Sequence, residues 1–168
     1  ALLGRDKVAL DVPDIAKAYA GRSVMVTGAG GSIGSELCRQ LLECNPARIV
    51  FFERYELALY QIDRELRAAA LARGIDVTAR LGSVTDAARV RAVLAQEEVE
   101  IVLHAAAYKH VPLVEENELE GARNNTLGTQ TVAAAAEAQG CERFILVSTD
   151  KAVRPTNIMG ATKRMAEL

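Results

Sequence analysis

Strand-length runs, most of them continuously apolar, recur along this chain at residues 24–26, 49–52, 76–81, 100–103 and 144–147, and a stretch of helical periodicity follows each. Continuous apolar strands, unlike alternating ones, belong to a parallel sheet covered on both faces. Five such βα units joined by right-handed crossovers predict an α/β fold: a doubly wound parallel sheet in the order 3-2-1-4-5.

The helices between the strands are read from their stops. A helix is expected from about Ser32 to Cys44, ended by Asn45-Pro46 because proline cannot continue it. Residues 56–73 place Leu59, Ile62, Leu66 and Ala69 or Ala70 on one stripe, with Gly74 as C-cap. Thr85 is expected to cap the next helix, which runs to about Glu97. A long loop with Pro112 then leads to an alanine-rich helix from about Glu118 to Ala138, closed by Gly140. Residues 1–20 show no sheet role and read as a linker or arm, leaving 21–168 as the domain. Met25 and Met165 read as core.

At 168 residues the chain suffices for one domain with a real core. Its 20 basic and 22 acidic residues leave a net charge of -2, so there is no electrostatic case for nucleic acid. Cys38, Cys44 and Cys141 lack any CxxC spacing, which fits free thiols in a reducing cytoplasm and gives no reason to expect a metal. No apolar run approaches the ~20 residues of a membrane span, so the polypeptide is expected to be soluble. The first residue is not Met, and the helical pattern at Leu168 has no C-cap, so the chain reads as an excised piece of a larger protein. Its fifth strand would then be an edge open to self-association.

The turn after the first strand is Thr27-Gly28-Ala29-Gly30-Gly31-Ser32-Ile33-Gly34. Glycines at 28, 31 and 34 let the backbone turn tightly, approach a pyrophosphate and pack helix against strand. The following helix points free N–H groups and a positive dipole end at the phosphates. A ligand-free tight turn would show the same glycines. What favours a dinucleotide is the position between first strand and first helix, with Glu53 ending the second strand about 20 residues on, where a ribose diol is held. Glu53 argues for NAD, because a carboxylate repels the 2′-phosphate of NADP; Arg54 beside it can accept that phosphate and keeps NADP possible.

The densest chemistry lies near the end. Ser148-Thr149-Asp150-Lys151 follows the fifth strand directly, and Met159 and Lys163 stand four apart on one helix face. The carboxyl end of a parallel strand is where an open α/β sheet presents its site. Solvated charge is the plainer reading of Asp150-Lys151. His104 and His110 read as structural residues, Asn125 as a brace between the fourth and fifth strand ends, and Lys109 as a substrate contact or a surface lysine.

The TGAGGSIG turn departs from GxGxxG and resembles the TGxxGxxG of extended short-chain dehydrogenases/reductases, which carry the Rossmann fold. Residues 104–112, the string 124–129 and above all STDKAVRPTNIMGATKR at 148–164 resemble nucleotide-sugar 4,6-dehydratases of bacterial polysaccharide biosynthesis, in particular membrane-anchored UDP-N-acetylglucosamine 4,6-dehydratases. The resemblance implies a closed redox cycle. NAD takes hydride from sugar carbon 4, water leaves across carbons 5 and 6, and hydride returns to carbon 6. It assigns Asp150 as acid at the leaving hydroxyl, Lys151 as base at carbon 5, Thr149 as substrate hydrogen-bonding partner, and Lys163 as nicotinamide-ribose lysine. Met159 stands where most of the superfamily has Tyr, and a thioether has no proton to give. The base for carbon-4 oxidation is then Asp150, Lys151 or a water, with Asp150 relayed by Thr149 the favoured choice.

The same resemblance carries Thr27, Gly28, Gly30, Gly31, Ser32, Ile33, Gly34, Ala105 and Ala106 over as cofactor contacts. At the adenine site Gly82-Ser83 replaces the usual Gly-Asp, leaving Ser83 to hydrogen-bond and Val84 to pack on the ring. The resemblance further implies a UDP-sugar substrate, a homodimer through the alanine-rich and last helices, and a membrane anchor upstream with this domain in the cytoplasm. A binding module without catalysis, and a UDP-sugar 4-epimerase or reductase, remain the alternatives; Met159 counts against the latter pair.

Overall fold

The computed structural model describes residues 12–168. Strands β1 (Ser23–Thr27), β2 (Arg48–Glu53), β3 (Asp76–Leu81), β4 (Ile101–His104) and β5 (Arg143–Leu146) are all parallel and lie in the order β3-β2-β1-β4-β5, as expected. Successive side chains along a strand point to opposite faces, and the core divides accordingly. Val24, Val26, Ile49 and Phe51 pack under α2 (Ser32–Glu43) and α3 (Glu56–Ala72). Met25, Val50 and Phe52 pack under α4 (Ala87–Gln96) and α7 (Gly128–Gln139). Phe51 and Phe52 are each fully buried, one on each side, and burial of such a side chain is worth about 1.5–3 kcal/mol.

Several boundaries differ from expectation. Within the supposed arm, Val12–Tyr19 form a helix, α1, tied to the sheet where Arg143 donates to the Ala18 carbonyl at 3.3 Å; residues 1–11 lie outside the described residues. Asp86, not Thr85, caps α4 by accepting from the Arg89 N–H at 3.0 Å, because the Thr85 hydroxyl is bonded to Ser83 Oγ at 2.8 Å. The Pro112 segment is a short helix, α5 (Val111–Glu115), with the proline in its first turn, where a missing N–H costs nothing.

The alanine-rich helix is not continuous. It begins as α6 (Glu118–Ala122), passes through a π-helical turn at Arg123–Leu127, and resumes as α7, ending on left-handed Gly140. The wide turn buries the consecutive residues Asn124 and Asn125, which an ordinary helix would separate by about 100°. Met165 is 62% exposed. It sits opposite the buried Met159, Gly160, Thr162 and Lys163 of the last helix, α8 (Ile158–Ala166). β5 is an edge strand, with Ile145 exposed.

The two ends of the sheet are treated differently. At the amino ends, the Ser23 hydroxyl donates to the Glu97 carbonyl at 2.8 Å and the Ser23 N–H to Glu100 Oε2 at 3.0 Å, tying the start of β1 to the chain before β4. The carboxyl ends are left open, and cavities form there.

Candidate active site

The β1–α2 turn is closed by two glycines. Gly28 has φ +66, and a Cβ on it would lie 2.8 Å from the Ala106 backbone; a Cβ on Gly34 would lie 2.0 Å from the Gly28 carbonyl oxygen. The start of α2 therefore packs directly on the turn. That 12-residue helix has no side-chain cap and no acid in its first turn, so its N–H groups face outward unneutralised. Bare N–H donors at a glycine turn suit a diphosphate, so the backbone present here fits a dinucleotide. Glu53, half-buried at the end of β2, accepts from the N–H groups of Gly30 (3.2 Å), Arg54 (2.8 Å) and Tyr55 (3.0 Å).

Two cavities open from this turn and share Gly31, Ala105, Ala107 and Tyr108 as walls. The larger, about 450 Å³, is lined by Gly28, Gly30, Glu53, Arg54, Val84 and Ala106, together with Phe52, Gly82 and Asn124. Ser83 does not line it. Thr27 is fully buried behind it. The smaller, about 290 Å³, brings Ser32, Ile33 and Gly34 together with Thr149, Lys151, Met159 and Lys163. Asp150 stands outside that lining with its side chain 89% exposed. Lys109 donates to Ser32 Oγ at 3.3 Å across the mouth.

Charge in the smaller cavity is set by local contacts. The Thr149 hydroxyl donates to Asp150 Oδ1 at 3.0 Å and Lys151 Nζ lies 3.6 Å from the same oxygen. These neighbours, the hydroxyl first, hold the Asp150 carboxyl below the usual range. It is therefore ionised in the open site. Lys163 is 5% exposed and donates from Nζ to the Val147 carbonyl at 2.7 Å; burial pushes its amine down, partly opposed by Glu167. Met159 is 3% exposed and offers packing only.

Behind both cavities runs a buried polar chain. Thr129 Oγ1 donates its one proton to the Asn125 carbonyl at 2.7 Å, so toward His104 Nε2, 3.0 Å away, it accepts. His104 Nδ1 is then the acceptor for Thr27 Oγ1 at 2.8 Å, whose oxygen takes the Ala106 N–H at 3.3 Å. Asn125, expected to hydrogen-bond backbone and brace the fourth and fifth strand ends, clamps Tyr108 in the loop after β4, accepting from its N–H (2.8 Å) and donating to its carbonyl (3.0 Å). It also donates to Thr162 Oγ1 of α8 at 3.0 Å. The 105–108 loop is thus fixed between the sheet and the helix bearing Met159 and Lys163. Tyr108, Thr129 and Thr162 carry no sequence signal of their own beyond lying in the 104–112, 124–129 and 148–164 strings.

Full burial, with Lys163 adding to it, pushes the His104 imidazole down to about 3. An unfolded histidine protonates near 6.5, so the unfolded chain binds the extra proton between those values. His104 stability is present in full above pH 6.5 and is lost as pH falls toward 3, at about 1.4 kcal/mol per pH unit. Guanidinium unfolding at pH 6.5 and pH 5 is expected to differ by about 2 kcal/mol from this group. The difference should shrink markedly in His104→Gln; an equal difference in that variant would remove His104 as the source.

The chain is 44% identical over 167 residues to the probable polysaccharide biosynthesis protein EpsC of Bacillus subtilis, covering 99% of this chain and 28% of that protein. It is 36% identical over 143 residues to a UDP-N-acetylglucosamine 4,6-dehydratase (inverting) of Campylobacter jejuni, covering 84% of this chain and 40% of that enzyme. The chain thus spans well under half the length of these relatives. The crystal structure of UDP-glucose 4-epimerase from Bifidobacterium longum in complex with NAD+ and UDP superposes with a TM-score of 0.73 at 22% identity, over 86% of this chain and 47% of that one, and shares the fold. Among the described residues no helix is long and apolar enough to cross a membrane. A family-wide profile described as polysaccharide biosynthesis protein matches residues 24–168, and the chain belongs to that family.

Proposed function

We propose that this chain is the cofactor-binding and catalytic-residue half of a nucleotide-sugar 4,6-dehydratase, with NAD as cofactor and UDP-N-acetylglucosamine as substrate. The observation that carries the reading is the shared wall of the two cavities. One cavity holds the glycine turn and Glu53, the other Thr149, Lys151, Met159 and Lys163. When bound, NAD supplies reversible two-electron chemistry at sugar carbons 4 and 6.

The chain's own groups do the rest. Glu53 Oε2 keeps acceptor capacity beyond its one backbone bond and holds the adenosine ribose diol. The α2 N-terminus holds the diphosphate. Thr149 takes the proton of the carbon-4 hydroxyl as it passes its own to Asp150, to which it is already hydrogen-bonded. That makes Asp150, ionised beforehand, the protonated acid required at the departing carbon-6 hydroxyl. Lys151 takes the carbon-5 proton, which the 4-keto group has acidified, and for this step the closed site must hold its amine neutral, its own proton already released. Met159 packs beside the sugar without titrating, so the proton path bypasses the position usually held by Tyr. Lys163, neighbouring this path, steadies the charge. Dimerisation through α7 and α8, and an anchored cytoplasmic parent, belong to the same proposal.

Calorimetric titration of the chain with NAD and NADP tests the cofactor half: saturable NAD binding is expected, weaker for NADP because Glu53 opposes the 2′-phosphate. Loss of one water from UDP-N-acetylglucosamine, read by mass spectrometry in a protein carrying this chain at its relatives' length, tests the chemistry. Binding without water loss would favour the module reading, and interconversion at carbon 4 without water loss the epimerase.

A further inference from the structure

Arg54 is the one cation and Glu53 the one anion among the residues lining the 450 Å³ cavity. The Arg54 guanidinium does not turn toward Glu53. It donates to the Tyr108 hydroxyl and lies 5.3 Å from that ring's centroid, bridging the β2 end and the loop after β4 across the cavity mouth. The Tyr108 backbone is anchored, because the fully buried Asn125 bonds both its N–H and its carbonyl, and this sets where the ring leaves the loop. Arg54 is a long side chain that follows whichever acceptor is offered.

We propose that Tyr108 is a specificity-determining positioning residue. By tethering Arg54 it withholds that charge from a 2′-phosphate and so widens the preference for NAD over NADP. The inference rests on the reading of this cavity as a dinucleotide site. A ribose diol held at Glu53 places the 2′ position beside the next residue in the chain, Arg54. Its guanidinium can meet a phosphate there only after leaving both the hydroxyl and the ring. NAD asks nothing of Arg54, so the tether leaves NAD affinity almost untouched. Discrimination of this kind comes from an element that opposes the wrong ligand as much as from one that favours the right one.

The test is the ratio of NADP to NAD dissociation constants, by calorimetry on the 168-residue chain. Tyr108→Phe removes the acceptor and keeps the ring; Tyr108→Leu removes both. The ratio is expected to move toward NADP by about threefold in the first and about tenfold in the second, with NAD affinity changed less than about threefold. In an Arg54→Ala background the same substitutions should leave the ratio in place, which a merely structural role for Tyr108 would not predict. A ratio that stays put in both single variants while NAD still binds overturns the tether and spares the dinucleotide site. A shift that persists without Arg54 also overturns it. A wild-type chain that binds neither nucleotide overturns both readings together.

Discussion

Gly34→Ala is expected to destabilise this chain by about 3 kcal/mol and to abolish dinucleotide binding. The added Cβ would stand 2.0 Å from the Gly28 carbonyl oxygen and 2.7 Å from its carbon, both backbone atoms of the same turn. No rotamer relieves such a contact. Either α2 shifts away from β1 or the turn opens, and in both cases buried Cys38, Leu41 and Leu42 lose their register on the sheet. Overpacking of a tight core contact costs about 1–3 kcal/mol, and this one falls at the upper end because backbone must move. Gly31→Ala is the control, since its Cβ would meet the same oxygen at 3.2 Å, a few tenths of an ångström too close. It should keep the fold and weaken NAD binding. Guanidinium unfolding and calorimetry separate the two effects; a Gly34→Ala midpoint equal to wild type would show that the helix start does not rest on the turn.

Asp150→Asn is expected to lower kcat by about a thousandfold in a protein of the relatives' length. The side chain is largely exposed, so the fold should be untouched and the loss confined to chemistry. An amide retains the shape and the Thr149 hydrogen bond but cannot take the carbon-4 proton or return it to the leaving hydroxyl. One residue thus serves two steps, which is why the effect exceeds that of Thr149→Val, expected near a hundredfold. Turnover of Asp150→Asn within tenfold of wild type would refute the proton path and move the first base to Lys151 or water.

The sheet order, the two covered faces and the glycine turn were legible along the chain because each depends on local pattern. Apolar runs such as residues 49–52 read as buried strands wherever they occur, and a glycine string between strand and helix has few other uses. Helix caps were less legible. Ser83, Thr85 and Asp86 all offer cap oxygens, and only the Ser83–Thr85 hydroxyl pair left Asp86 for α4. Met165 was misplaced because an isolated methionine looks apolar, whereas its face of α8 is set by which neighbours the helix meets.

By itself the sequence determined the βα alternation, the crossover handedness and the positions of glycine, acid and amine at strand ends, since all of these follow from period, backbone sterics and spacing. The tertiary structure alone decided that Asp150 is ionised and outside the cavity, that His104 is neutral, and that Asn125, turned inward by a π-helical turn, locks Tyr108. It also decided that Tyr108 holds Arg54. Protonation and side-chain engagement depend on groups far apart along the chain, as with Thr27 and His104, which stand 77 residues apart. Distances of that kind exist only once the sheet has brought its strand ends together.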